Sequence, residues 1–229
     1  MIAPQPSDSD PFWENQYARL LIGLVSLMLI PTLFSAHWTS LVSFSLETLV
    51  IVLILQILRA RRSRFYTYLV VSLAIFALEL LDYFSNNVQQ AIGIVIDLLT
   101  GVVHLTFSFM VIQVILKKIF SQQSVTRDSI LGGVSVYLLL GFSWSFAYRM
   151  LYNLDSSSFN LSKGVDISWE LGYFSFVTLT TVGYGDVTPA SGVTMALSIL
   201  EALTGQMYPA IIISCLISQF LNSRPAGRP

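Results

Sequence analysis

Charge is what this chain has least of: Asp, Glu, Lys and Arg make up 11% of its 229 residues, against about 25% in an ordinary soluble domain. With 54% of the residues hydrophobic, so few charges cannot clothe a water-exposed surface, and the composition is that of a chain built for lipid. The net charge is −1, and the basic residues fall in short clusters between apolar runs, which excludes the electrostatic footprint of a nucleic-acid binder. A single cysteine, Cys215, excludes an intrachain disulfide and a multi-cysteine metal site; inside its apolar run it reads as a small buried residue. Two histidines, His37 and His104, with no phosphate-binding loop and no Ser-His-Asp pattern, leave no enzyme and no cofactor to expect. The first residues, "MIAPQPSDSDPFWENQYARL", put acids and prolines where a secretory signal has a basic cap and an apolar core, so no cleaved signal is expected.

Long apolar runs, by contrast, are plentiful. A helix crosses the roughly 30 Å hydrocarbon layer in about 20 residues, and six stretches qualify: 17–36, 40–58, 65–85, 88–116, 129–152 and 192–221. Nine of the 12 basic residues (Arg59, Arg61, Arg62, Arg64, Lys117, Lys118, Arg127, Arg224 and Arg228) fall on one side of these spans. Arg149 and Lys163 lie opposite, with Arg19 at the edge of the first span. The positive-inside rule therefore makes both termini cytoplasmic. No internal repeat is present.

Between the fifth and sixth spans lies "NLDSSSFNLSKGVDISWELGYFSFVTLTTVGYGDVTPAS", polar at first, then apolar for about a dozen residues, too few to span. Non-helical backbone is tolerated at membrane depth only where it is buried in protein or lines water, so residues 167–180 are expected to form a re-entrant helix whose loop returns to the outer side and lines a cavity. A pore that strips a monovalent cation of its water must supply a ladder of oxygens, and backbone carbonyls do so when successive residues all point inward. Chains of L-residues resist that geometry; Gly183 and Gly185, at alternate positions, relax it. Thr181 can add its hydroxyl, and Val182 and Tyr184 are expected to turn their side chains outward.

The run Thr181-Val182-Gly183-Tyr184-Gly185 resembles the selectivity filter of potassium channels. The resemblance covers residues 129–221, with Asp186 and Pro189 after the filter and a long apolar helix following. It implies that the carbonyls of Thr181, Val182, Gly183 and Tyr184, with the Thr181 hydroxyl, coordinate dehydrated potassium, and that Gly185 forms the outer mouth. Trp169, Tyr173 and Phe174 resemble the aromatic cuff around the pore helix, with Tyr173 placed to reach Asp186; interfacial anchoring is the other reading of these aromatics. Val177 stands where some prokaryotic relatives carry a glutamate behind the filter, so a carboxyl pair with Asp186 is not expected. Since one chain brings one filter segment and a closed oxygen cage needs four, the resemblance implies a homotetramer.

In the sixth span, "EALTGQMYPAIIISCLISQF", Gly205 lies where the family has its hinge, and Pro209 removes an intrahelical hydrogen bond. Close helix packing is the competing role for Gly205. Ile213, Ile217 and Leu221 share a face and form a candidate apolar gate. Glu201, one turn outward of Gly205, is either paired behind the filter or pulls on cations in the cavity.

Six spans with the filter between the last two also resemble the voltage-gated cation channels, whose fourth helix carries repeated arginines. Here that segment has none, and steep voltage sensing needs several charges at about 2.3 kcal/mol each per 100 mV. What the first four spans do contain is acid: Glu47 roughly 10 Å, Glu79 roughly 9 Å and Asp97 roughly 14 Å below the outer surface. Asp82 shares a face with Glu79, and His104 lies two turns from Asp97. Glu47, Glu79, Asp97 and His104 form a candidate proton- or cation-sensing cluster; separate side chains satisfied by hydroxyls or water are the alternative.

The expected organisation is an all-α membrane protein of six transmembrane helices plus a re-entrant pore helix and filter loop. Its parts are a cytoplasmic segment (1–16), a four-helix voltage-sensor-like domain without gating arginines (17–118), a linker (119–128), a pore domain (129–221) and a cytoplasmic tail (222–229). The expected function is a passive, homotetrameric, potassium-selective channel of a plasma or prokaryotic inner membrane. Its partners are the lipid bilayer and potassium ions. A modulatory subunit with little conduction of its own is the alternative; a potassium transporter of the filter-bearing kind needs four filter loops per chain.

Overall fold

The computed structural model describes residues 16–33, 90–122, 124–162 and 166–222, with positions 49, 50, 52, 53, 70, 74 and 77 besides. The helices are α1 (Gln16–Leu29), α2 (Gln90–Ser121), α3 (Arg127–Leu154), α4 (Ile167–Leu179) and α5 (Gly192–Asn222). The two-residue strands β1 (Phe159–Asn160) and β2 (Thr188–Pro189) pair antiparallel, Phe159 opposite Pro189 and Asn160 opposite Thr188.

Three of the described helices, α2, α3 and α5, are long and apolar enough to cross a membrane. The other expected spans fare differently. Helix α1 stops at Leu29 and tightens into a 3-10 turn over Ile30–Leu33, because Pro31 brings no N–H to an α-helical ladder and disfavours the helical conformation of the residue before it. Its 14 residues reach about 21 Å, short of the run expected over 17–36. Of the second and third expected spans only positions 49, 50, 52 and 53, and 70, 74 and 77, are described, all of them helical; the rest lies outside the described residues. Helix α2 continues through Lys117 and Lys118 to Ser121, so the connection to α3 is shorter than the 119–128 expected. Thr126 begins α3 with a capping box: its hydroxyl accepts from the Ser129 N–H, and the Ser129 hydroxyl receives the Thr126 N–H in return.

Helix α3 is the hub, with α1, α2, α4 and α5 all packed against it. Lipid tails are as apolar as leucine, so these contacts are held by fit rather than by expulsion of water. One cluster joins Tyr17, Leu20 and Leu24 of α1, Phe107, Val111, Ile115 and Ile119 of α2, and Val136 and Leu139 of α3. A second gathers Tyr148, Phe159, Leu171, Phe174 and Val187 around α4, with the rings of Tyr148, Phe159 and Phe174 edge-to-face at 5.2–5.4 Å. Gly141 makes the close approach of α3 to α4 possible: a Cβ there lies 2.5 Å from the Phe176 ring.

Candidate functional site

The short helix α4 is fixed at its start by acids and at its end by hydroxyls. Asp166 caps it, accepting from the Ser168 N–H at 3.0 Å and the Trp169 N–H at 3.3 Å. Buried Glu170, in the first turn, takes the Ser162 N–H on both carboxylate oxygens at 3.1 Å. At the other end the Thr180 N–H and hydroxyl both donate to the Phe176 carbonyl, at 3.0 and 2.6 Å. With 13 residues, about 20 Å long, α4 cannot span, as the sequence predicts for a re-entrant helix. Its last carbonyls carry the partial negative end of the helix dipole straight into the loop, an arrangement that favours a cation there.

In the loop the backbone alternates in hand. Thr181 (φ 61°), Gly183 (φ 58°) and Gly185 (φ 80°) are left-handed, whereas Val182 and Tyr184 between them keep negative φ. A Cβ on Gly183 or Gly185 meets nothing within 4 Å, so the dihedral, and not space, demands glycine at both positions. Thr181 is the surprise: a β-branched residue in this region costs about 1–2 kcal/mol and holds only where its surroundings impose it. The imposing contacts are visible, since the Thr181 N–H donates to the Thr178 carbonyl at 2.9 Å and the Val182 and Gly183 N–H groups point back to the Val177 carbonyl at 2.9 and 3.4 Å. Val177 thus serves the loop through its backbone.

The C-terminal end of the loop closes on Asp186. Tyr173 donates its hydroxyl to one carboxylate oxygen at 2.7 Å, as the sequence predicts, and the Val187 N–H donates to the other at 3.1 Å. The Tyr173 hydroxyl, helped by the backbone amides, holds the Asp186 carboxyl below the usual carboxylate range. Tyr184 stacks on Tyr173, rings nearly parallel and 6.3 Å apart. The expected aromatic cuff divides: Tyr173 faces the loop, Phe174 turns into the chain's own core with Tyr148 and Phe159, and Trp169 is half-buried. Pairing of β2 with β1, and the Ala190 N–H on the Ser158 carbonyl at 2.8 Å, bring the chain back beside the start of α4 before α5 begins.

Helix α5 is continuous through Gly205 and Pro209. Pro209 lacks the N–H that the Gly205 carbonyl receives in an unbroken ladder, which makes the two residues one device. Gly205 presses on the end of α4 so closely that a Cβ there lies 1.8 Å from the Leu179 carbonyl oxygen, and the same oxygen accepts from the Tyr137 hydroxyl at 3.2 Å. Close packing is therefore one role Gly205 has. Ile213, Ile217 and Leu221 are exposed, facing away from this chain's own core. Behind α4, Glu201 is fully buried: Tyr148 donates to its Oε2 at 2.6 Å, and the Ser175 hydroxyl lies 2.6 Å from its Oε1 and 2.7 Å from the Gly141 carbonyl oxygen.

The candidate sensing cluster is not drawn together among the described residues. Asp97 turns to α3, where Arg149 donates to Oδ1 and Asn153 to Oδ2, the latter at 3.0 Å. His104 sits with Nδ1 2.8 Å from the Thr100 carbonyl oxygen and its ring stacked on Phe146 of α3 at 4.4 Å. Arg149, read from the sequence only as a marker of orientation, is the partner that reading missed, although it lies inside the fifth expected span. Glu47, Glu79 and Asp82 lie outside the described residues, and no trio of His, Cys, Asp or Glu able to hold a metal ion occurs among those described.

Residues 136–222 match a family model described as an ion channel. Over 87 residues the chain is 36% identical to two-pore potassium channel 2 of Arabidopsis thaliana, covering 38% of this chain and 18% of that one. It is 44% identical over 50 residues to two-pore potassium channel 3 of the same plant, covering 22% of this chain and 12% of that one. Protein LctB of Bacillus caldotenax is 52% identical over 42 residues, covering 18% of this chain and 31% of that one. The chain thus spans less than a third of the length of these relatives. No solved structure matches it significantly. The matched region comprises the greater part of α3, with α4, the glycine loop and α5, and it is this part of the chain that is similar to ion channels.

Proposed function

We propose that this chain is one subunit of a passive, potassium-selective channel, assembled as a homotetramer in a cell membrane with both termini cytoplasmic. The observation that carries the reading is the alternation of positive and negative φ from Thr181 to Gly185, with Val182 and Gly183 amides turned back to the helix. Alternation of this kind turns successive carbonyls to one side, and the carbonyls of Thr181, Val182, Gly183 and Tyr184 then replace the hydration shell of a potassium ion. The names of the plant relatives support potassium as the permeant ion. Four copies close the oxygen cage, and in that assembly neighbouring subunits cover Val182 and Tyr184, which are 53% and 71% exposed on the single chain.

Bending of α5 at the Gly205–Pro209 device, with Ile213 and Ile217 as the apolar constriction, is the gate this reading assigns. Steep voltage dependence is not part of it, because α2 carries no arginine and its Asp97 is tied to α3. The test is the reversal potential of purified protein in planar bilayers under a potassium/sodium gradient. A value near the potassium equilibrium potential, with barium block, is expected, and Gly183→Ala is expected to abolish selectivity. Equal passage of sodium and potassium by the unaltered protein overturns the reading.

A further inference from the structure

Glu201 poses a problem of proton accounting. Its carboxyl is fully buried between α3, α4 and α5, and its neighbours are hydroxyls: Tyr148 of α3 at Oε2 and Ser175 of α4 at Oε1. The Ser175 oxygen also lies 2.7 Å from the Gly141 carbonyl oxygen. A serine hydroxyl has one proton to donate. If Glu201 is ionised, that proton serves either the carboxylate or the carbonyl, and the other contact becomes two acceptor oxygens face to face at 2.6–2.7 Å with nothing between them.

If Glu201 carries a proton on Oε1, every contact is satisfied at once. Tyr148 donates to Oε2, the Oε1 hydroxyl donates to Ser175, and Ser175 donates to Gly141, whose carbonyl has a second lone pair for its helical bond. The surroundings agree with a neutral acid. From α3 the titratable groups facing it are Tyr148 and, farther off, Tyr137, whose hydroxyl is spent on the Leu179 carbonyl. The carboxylate of α4, Glu170, is held in the first turn by Ser162, and on α5 itself Tyr208 donates to the Gly133 carbonyl. Among the described residues no cation is paired with Glu201; the ion pairs are Lys118–Asp128 and Arg149–Asp97. An unpaired charge in such a site is far costlier than a neutral acid with its hydrogen bonds made.

We propose that Glu201 is a positioning residue for the filter and acts as a neutral carboxylic acid, its proton completing a hydrogen-bonded chain that locks α4 to α3 and α5. Ser175 lies one turn and a half before Thr181, so the chain fixes the depth and rotation of the helix that carries the loop. The positioning half rests on the filter reading above; the protonation half does not.

The experiment therefore has two readouts on the full chain in lipid. Infrared difference spectra between the unaltered protein and Glu201→Gln at neutral pH are expected to show a protonated-carboxyl carbonyl band that the substitution removes; a carboxylate band in its place overturns the proposal. In bilayers, Glu201→Gln, whose amide can donate to Ser175 and accept from Tyr148, is expected to keep the potassium-over-sodium permeability ratio. Glu201→Ala and Ser175→Ala are expected to lower it about tenfold, the worth of one buried hydrogen bond lost. A Gln variant as unselective as the Ala variant means that charge is required, and an Ala variant with unchanged selectivity removes the positioning role; either overturns the proposal. If the unaltered protein does not discriminate potassium from sodium, the filter reading fails and takes the positioning half with it, while the infrared band still decides where the proton is.

Discussion

Two of the carboxyl groups carried by the described helices, Asp97 and Glu201, are kept there by opposite means. Asp97 of α2 is partly exposed and is met by a cation, Arg149, with Asn153 on its second oxygen. Glu201 of α5 is fully buried and is met by two hydroxyls. A charge leaving water is offset either by an opposite charge or by giving up its own, and the chain uses the first solution where water is near and the second where it is not. The mechanical effect also differs. The Asp97–Arg149 pair ties α2 to the hub helix near the C-terminal end of that helix, while the Glu201 chain ties that hub to the helix bearing the glycine loop.

The contrast breaks most visibly at the ion pair. Arg149→Leu leaves Asp97 without its cation, and a loss of about 3 kcal/mol in stability is expected, at the low end for a broken buried pair because both partners keep some contact with solvent. Thermal unfolding in detergent or nanodiscs measures it. The double substitution Asp97→Leu with Arg149→Leu is expected to recover most of that loss, since removing both charges leaves none uncompensated. A double variant as unstable as the single one means that Arg149 acts through its other contacts and not through Asp97.

A smaller effect is expected at the neutral acid. Tyr148→Phe deletes one donor to Glu201 and keeps the ring in its aromatic cluster, so a cost of about 1–2 kcal/mol follows if an uncharged oxygen is left unsatisfied. A cost as large as that of Arg149→Leu means that Glu201 is ionised, and the contrast between the two carboxyls collapses. Salt sharpens it further. Between about 0.05 M and about 1 M potassium chloride, screening is expected to weaken the partly exposed Asp97–Arg149 pair by a few tenths of a kcal/mol. The double Leu variant loses that dependence, whereas Glu201→Gln leaves it unchanged.

What the sequence made legible follows the range of the interactions. The short helix and the loop were readable because their determinants are local: an apolar run too short to span, then glycines at alternate positions. Tyr173 on Asp186 was reachable for the same reason, 13 residues apart across the second half of one short helix and the loop that follows it. The left-handed Thr181 was not, because its conformation is imposed by amides bonding back to Thr178 and Val177 and nothing in a threonine announces it. Glu201 could be expected to pair behind the filter, but its partners come from 53 and 26 residues away, so their identity had to wait for the packing. Asp97 was grouped with acids of similar depth. Depth places residues in a layer without saying which way they face, and Asp97 faces α3, where an arginine was in reach.

Asp186 supplies the third and mildest case, a carboxyl held by a hydroxyl as Glu201 is, but in water as Asp97 partly is. Exposed, it has no reason to give up its charge, and the Tyr173 hydroxyl stabilises the ionised form, so its titration lies below the usual carboxylate range. The sign follows: a depressed folded value means that the contact contributes fully above the ordinary carboxylate range and is lost as pH falls through the depressed value. This end of the loop is therefore expected to be indifferent to pH near neutrality and to loosen only in strong acid. Tyr173→Phe removes the main cause and is expected to move the Asp186 titration up toward the ordinary range, read from its carboxyl carbon shift by NMR. A titration that does not move means that the backbone amide of Val187 holds the carboxyl by itself, and hydroxyl donation then distinguishes Glu201 from Asp186 as sharply as burial does.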